Sequence, residues 1–279
     1  MAFYAETLGL SDSAFALLRD LIHERTGLFY ENGKSDLLTD KLSPLVIERG
    51  FNSFLDYYYL LKYDAGAGEE WKRVMDALSV QETFFWREMD QIRALVDVIV
   101  PQYFSATHAR PMRIWSAACA TGEEPLSIAM ALNEAGWFER APIEINASDA
   151  SAAAIEKARS GVYRERSFRS LPPRLREKYF SQTQGGSRIA PSIQAKIKWA
   201  TANLMDERDI AAFATVPIIF CRNVFIYFSE DTIRKTVRLF AERILEPGYL
   251  FVAASESLLR LTTQFQFQEI GGAFVYVKS

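Results

Sequence analysis

One stretch, Arg113 to Met130, constrains this chain more than any other. It reads RIWSAACATGEEPLSIAM: a buried strand over Arg113–Ala117, a tight turn of small residues over Ala118–Gly122, and an acidic helix start at Glu123-Glu124-Pro125. The apolar helix face Leu126, Ile128, Ala129, Met130 follows. A strand that stops at a glycine turn and hands over to a helix is the nucleotide-cradling unit of open α/β sheets. Gly122 admits backbone angles that a side chain forbids and lets a ligand come close. Two carboxylates follow the turn where a phosphate binder would carry further glycines, so the ligand expected here carries positive charge.

The composition supports a large, packed chain. Of 279 residues, 49% are hydrophobic and 24% charged, a balance that builds a core and argues against disorder. The formal charge of -3 offers no basic footprint for nucleic acid. Two cysteines, Cys119 and Cys221, lie far apart with no ligand or disulfide spacing, which points to a reducing compartment. No apolar run approaches the ~18 residues of a membrane span. The opening MAFYAETLGLSDS has neither the basic nor the apolar part of a secretory signal, so the expected location is cytoplasmic, with no membrane insertion.

Helical periodicity fills the first third. Ser11 caps a helix with Phe15, Leu18 and Ile22 on one face and Gly27 at its end. A second helix is expected over Ser35–Arg49, kinked or interrupted at Pro44, and a third opens at Asn52. A fourth passes through Trp71, Val74, Met75 and Leu78 after the AGAGEE loop. The charges Lys34, Lys41 and Arg49 read as a solvated face or as a surface for an acidic partner helix. The aromatic run SVQETFFWRE, Ser79–Glu88, is either a buried junction or the roof of a ligand site. As a roof it would present Thr83 and Arg87 together on one helix face. The helical domain is expected to span 1–88, and a second domain 89–279.

Strands and helices then alternate. A helix through DQIRALVDVIVPQYF ends near Pro101–Phe104. The strand Ile143–Asp149 ends in an acid placed for ribose hydroxyls, for the N-cap of the helix Ala152–Arg159, or for both. An antiparallel β-subdomain insertion is expected at about 178–202, around Gly185-Gly186, its last strand closed by Asn203-Leu204. Val216–Asn223 has the continuous apolar pattern of a central parallel strand. Ser229 caps the next helix, and Gly271-Gly272 turns a terminal hairpin. The expected fold is α/β, a mostly parallel sheet with helices on both faces. Its crevice at the carboxyl ends of the strands would collect Gly122, Asp149, Asn203 and Asn223.

Elimination narrows the chemistry. G-x-G-x-x-G and the P-loop are absent. The two histidines, His23 and His108, stand away from the strand ends, and no Cys/His cluster supports a metal or a nucleophile triad. A nucleoside with a cationic centre remains, and S-adenosylmethionine has both a ribose diol and a sulfonium.

TFFWRE, WSAACATGEEPLSIAMAL, ASD, GVYRE, LPPRLREKYF, NL, IIFCRNVFIYF and SESL follow one another as in the CheR-type chemotaxis receptor methyltransferases, which the chain resembles from Leu10 to Val277. The resemblance implies a Rossmann-like class I methyltransferase sheet, an N-terminal helical domain and a small β-subdomain. It implies S-adenosyl-L-methionine as cofactor, S-adenosyl-L-homocysteine as product, and methyl transfer to glutamates in the cytoplasmic helical bundle of a methyl-accepting chemoreceptor. Family cofactor positions fall on Gln81, Thr83, Arg87, Glu123, Asp149, Asn203, Leu204, Arg222 and Asn223, with Ala118 and Gly122 in the turn. Tyr227 matches the tyrosine beside the transferred methyl, and Arg87 is its expected catalytic companion. Gln81 stands where the family usually has Asn, Trp86 replaces a Phe, and Ala253-Ala254 precede SESL in place of Gly-His. The second helix is less basic than is typical of the family, and the loop SQTQGGSRIAP is short, so tight docking of a receptor's C-terminal peptide is not expected. A regulatory module that binds the cofactor without turnover and a small-molecule carboxyl methyltransferase are the competing readings.

Overall fold

The computed structural model describes residues 8–107 and 110–279, so the readings made on Met1–Thr7 and on His108 lie outside the described residues. The chain forms two compact units, Met1–Val80 with Tyr227–Ser229, and Gln81–Ile226 with Glu230–Ser279.

The first unit holds α1 (Asp12–Thr26), α2 (Ser35–Glu48), α3 (Phe54–Tyr63) and α4 (Gly68–Leu78). Ser11 accepts from the Ala14 N–H, and Gly27 ends α1 in the left-handed region, as capping chemistry requires. The cap of α3 is Ser53 rather than Asn52, because its Oγ reaches the Asp56 N–H. Pro44 lies inside α2 without breaking it. Phe15, Leu18, Leu38, Leu42, Phe54, Tyr57 and Val74 close one core. Within it Glu70, fully buried, accepts from Tyr57 Oη at 2.7 Å and pairs with Arg49 at 2.6 Å and Arg73 at 3.2 Å. Arg49 is thus tied to a buried acid while its side chain remains 42% exposed. Lys41 is committed too, donating to the carbonyls of Ala77 and Leu78 at the end of α4, whereas Lys34 is exposed. His23 on α1 shares a hydrogen bond with Ser229 at 2.9 Å.

The second unit opens with α5 (Met89–Ala94), a π turn over Leu95–Ile99 and α6 (Val100–Thr107). Pro101 ends nothing here: it has no N–H and crowds the carbonyl four residues back, and the widened turn before it gives the room. Then come β1 (Met112–Ala117), α7 (Glu123–Glu134), α8 (Trp137–Arg140), β2 (Ile143–Asp149) and α9 (Ala152–Ser160). β3 (Val162–Tyr163), α10 (Pro173–Tyr179), β4 (Phe180–Thr183), β5 (Gly186–Ile189), α11 (Pro191–Gln194) and β6 (Ile197–Thr201) follow. The last third is α12 (Glu207–Phe213), β7 (Ile218–Phe220), α13 (Glu230–Arg243), β8 (Gly248–Phe251), β9 (Gln266–Ile270) and β10 (Ala273–Lys278).

A seven-stranded sheet runs β6-β2-β1-β7-β8-β10-β9, parallel except for the terminal hairpin. This is the Rossmann-like class I arrangement, and its strand order reverses at β1, the strand that carries the glycine turn. A second sheet, β3-β5-β4, is antiparallel. Two expectations change here. The stretch Ile197–Thr201 pairs with β2 at the edge of the main sheet instead of closing the insertion, and the insertion recruits Val162–Tyr163. The domain boundary falls at Val80 rather than Glu88, because Phe85 is fully buried in the sheet core against Tyr163, Phe168 and Phe180.

Candidate active site

Everything expected of the crevice begins at the end of β1. Ala118, Ala120 and Gly122 all take left-handed angles, with φ of 51°, 48° and 93°. Left-handed alanine costs roughly 1–2 kcal/mol per residue, so this turn is strained and held by its surroundings. Gly122 N donates to Cys119 O, and Cys119 N donates to Ser148 O at the end of β2. A Cβ on Gly122 would stand 2.7 Å from Trp199 Cη2 and 3.0 Å from the Ala158 Cβ, so neither the angle nor the space admits a side chain. The Trp199 ring is thus the floor of the turn, and its buried Nε1 has no acceptor among the described residues.

Asp149 Oδ2 accepts from the Ala120 N–H at 2.8 Å and Oδ1 from the Ser151 N–H at 2.8 Å. The N-cap of α9 is Ser151, whose Oγ accepts from Ala154 N, so Asp149 holds the turn before the helix instead of capping it. Ala202 N donates to the Asp149 carbonyl, which brings Asn203 and Leu204 to the same rim. The Asn203 Oδ1 is engaged by Met205 N, and Leu204 is buried.

The two acids that open α7 diverge. Glu124 Oε2 pairs with Arg222 Nε at 2.8 Å, and its Oε1 accepts from Ser116 Oγ at 2.6 Å. Its charge is cancelled within the protein and is not available to a ligand. Glu123, 2% exposed, accepts from Thr121 and Ser167 hydroxyls and pairs with no cation among the described residues. An uncompensated buried carboxylate beside the turn keeps the site electronegative. The neighbouring Cys119 thiol registers it: burial first, then the charges of Asp149, Glu124 and Glu123 push its pKa well up. Cys119 is therefore a protonated, inert thiol.

Gln81–Glu88 is not helical, so Thr83 and Arg87 do not share a helix face. Trp86 and Glu88 are left-handed, and the segment is fastened residue by residue. Gln81 Nε2 reaches Ser151 Oγ at 3.4 Å, Phe85 N donates to Ser167 O, and Trp86 N donates to Ser127 Oγ. At its far end the Arg222 guanidinium donates to the carbonyls of Arg87 and Glu88 and to Gln91 Oε1. The segment thus runs from the β2 rim to the β7 rim, passing the turn between them. Arg222 itself is saturated by Glu124, Gln91 and two carbonyls, so its side chain positions the segment. The Arg87 side chain is partly exposed, with its guanidinium 5.4 Å from the Phe84 ring centroid. After β7, Asn223 is left-handed at φ 59°, and its N–H donates to Glu256 at 2.9 Å. Tyr227 ends the short 3₁₀ turn Phe225–Tyr227 and belongs to the first unit. Sequence reasoning overlooked Ser151, Ser167 and Trp199, and it gave Glu256, within the SESL motif, no role. None of them has a spacing signal, since each acts across the fold.

No cluster of metal-binding side chains occurs among the described residues, and no described helix is long and apolar enough to cross a membrane. Two family models match the chain. The model for the CheR methyltransferase all-alpha domain covers residues 13–79, and that for the CheR methyltransferase SAM binding domain covers residues 81–273. Chemotaxis protein methyltransferase 2 of Vibrio cholerae is 33% identical, the match covering 96% of this chain and 94% of the relative. The chemotaxis protein methyltransferase of Escherichia coli K12 is 32% identical, over 98% of this chain and 93% of its own.

Proposed function

Because the chain belongs to the CheR methyltransferase family, we propose that it methylates glutamate side chains on the cytoplasmic helical bundle of a chemoreceptor, giving glutamyl methyl esters. S-adenosyl-L-methionine is its cofactor, supplying a sulfonium-activated methyl group. The observation that carries the reading is the strained turn Ala118–Gly122, held by Asp149 and flanked by the cation-free Glu123, inside the matched SAM binding domain. A buried carboxylate with no cation beside the turn favours a cationic ligand over a phosphate.

The cofactor side of the rim is assigned to Gln81, Thr83, Arg87, Ala118, Gly122, Glu123, Asp149, Asn203, Leu204, Arg222 and Asn223. Asp149, at the end of β2 and fastened by the N–H groups of Ala120 and Ser151, is assigned to the ribose hydroxyls. Asn203-Leu204 and Asn223 offer main-chain groups, and Arg222 acts by holding Arg87 and Glu88 in place. Tyr227 and Arg87 are assigned to the reacting end.

A glutamate acceptor has a reference pKa of about 4.3 and arrives ionised, so the site needs no general base. The residues contribute alignment, holding the acceptor oxygen in line with the methyl carbon, which is proximity catalysis. Among the described residues, no histidine or thiolate nucleophile is placed at the rim, which is consistent with that division of labour. Cytoplasmic location follows from the substrate. Binding of a receptor tail to the short β4–β5 hairpin is expected to be weak, and calorimetry with such a peptide checks it.

The test is transfer of radioactive methyl to a receptor fragment. Base-labile label with the wild type, lost in Asp149→Ala, supports the reading. Label on free small acids without a receptor would favour the small-molecule alternative, and cofactor binding with no turnover on any receptor of the same cell would favour the regulatory one.

A further inference from the structure

The SESL motif, Ser255–Leu258, has no part in the site assigned so far, yet its glutamate is among the few buried charges of the sheet unit. Glu256 is 8% exposed. Oε2 accepts from the N–H of Asn223 at 2.9 Å and of Ala253 at 2.9 Å, and Oε1 accepts from the N–H of Ile226 at 3.3 Å. It pairs with no lysine or arginine among the described residues, in contrast to the buried carboxylate of Glu70 and the half-buried one of Glu124, each of which has an arginine. Burial without a cation is costly, and it pushes the carboxyl pKa up against the pull of the N–H groups. A glutamine could not replace it in kind, because its amide would turn an N–H₂ toward converging donors.

What the carboxylate does is visible in what it joins. Asn223 follows β7 in the left-handed region, a conformation a non-glycine residue holds only when its surroundings impose it. Ala253 follows β8, the neighbouring strand. One side chain therefore ties the exits of two parallel strands and fixes the turn that leads along the chain to Tyr227.

We propose that Glu256 is a positioning residue for the methyl-transfer site, the anchor that holds Asn223 and the Asn223–Ile226 loop in the conformation the cofactor requires. This rests on the assignment of Asn223 to the cofactor rim. The test compares wild type, Glu256→Gln and the structural control Glu70→Gln by titration with S-adenosylhomocysteine well below each variant's melting temperature. Glu256→Gln is expected to weaken binding about tenfold or more, while Glu70→Gln lowers the melting temperature and leaves the affinity within twofold. Hydrogen exchange on the wild type gives a second measurement that needs no variant: the amides of Asn223, Ile226 and Ala253 should open together and slow further when S-adenosylhomocysteine is added. A folded Glu256→Gln protein with wild-type affinity, or three amides that exchange independently in the wild type, would overturn the proposal. Unchanged affinity combined with cooperative exchange would leave the anchor standing as structure only and remove its link to the cofactor.

Discussion

Gly122→Ala is the sharpest probe of the turn, because its cost separates into two parts that another glycine isolates. At φ 93° an alanine pays the left-handed penalty of about 1–2 kcal/mol. Its Cβ would also lie 2.7 and 2.9 Å from Cη2 and Cζ3 of Trp199, a rigid ring on β6. Overpacking of that kind costs about 1–3 kcal/mol. The sum is about 2–5 kcal/mol. At roughly 2–4 °C per kcal/mol for a unit of this size, a value near 3 lowers the melting temperature by about 6–12 °C. Gly272→Ala in the β9–β10 hairpin has φ 81° and nothing within 4 Å of the new Cβ, so it should show the angular penalty alone. Calorimetry of the two variants gives the packing part as their difference. A cycle with Trp199→Leu should return a coupling of about 1–3 kcal/mol between positions 122 and 199. If Gly122→Ala melts no lower than Gly272→Ala, or if the coupling is zero, Trp199 is not the floor of the turn.

Asp149→Ala should weaken S-adenosylhomocysteine binding by roughly 1–3 kcal/mol in calorimetry and also lower the melting temperature, since the Ala120 and Ser151 N–H groups lose their acceptor; unchanged affinity would contradict the ribose assignment. Tyr227→Phe should reduce turnover in the methyl-transfer assay more than it reduces cofactor affinity, and equal losses would remove its assigned place at the reacting end. Glu134 anchors α10 through Lys178, Tyr179 and Arg174, and these partners, Lys178 first, hold its carboxyl down at about 2. A depressed carboxyl stabilises the fold above its unfolded pKa and loses that contribution as pH falls toward 2. The melting-temperature gap between wild type and Glu134→Gln should therefore be present at pH 7 and shrink below about pH 4, and because the partners are solvent-screened it should correspond to no more than about 1 kcal/mol.

Local chemistry made much of this protein legible before any coordinates. Ser11 and Gly27 bound α1 because capping is settled within a few residues. Val216–Asn223 announced a buried parallel strand by its continuous apolar run, of which Ile218–Phe220 forms β7; Ile143–Asp149 was marked by its place after the first helix and its closing acid, and the turn after Ala117 by its small residues and glycine. The family resemblance, carried by SAACATGEEP and FCRNVFIYF, then fixed the cofactor class. What remained hidden depends on partners far away along the chain. The Gln81–Glu88 segment has helix-compatible spacing, but it is bound by Ser127, Ser151, Ser167 and Arg222, and those bonds force Trp86 and Glu88 into left-handed angles. Ile197–Thr201 alternates like a hairpin strand, yet the free edge of β2 takes it up. Glu124 looked like a ligand group until the fold set Arg222 against it, and Glu256, quoted only as part of SESL, showed no role until N–H groups from two strand exits met on it. Composition and spacing encode what neighbours in sequence do to one another. The burial of a charge, and so its availability to a ligand, is decided only when distant segments close around it.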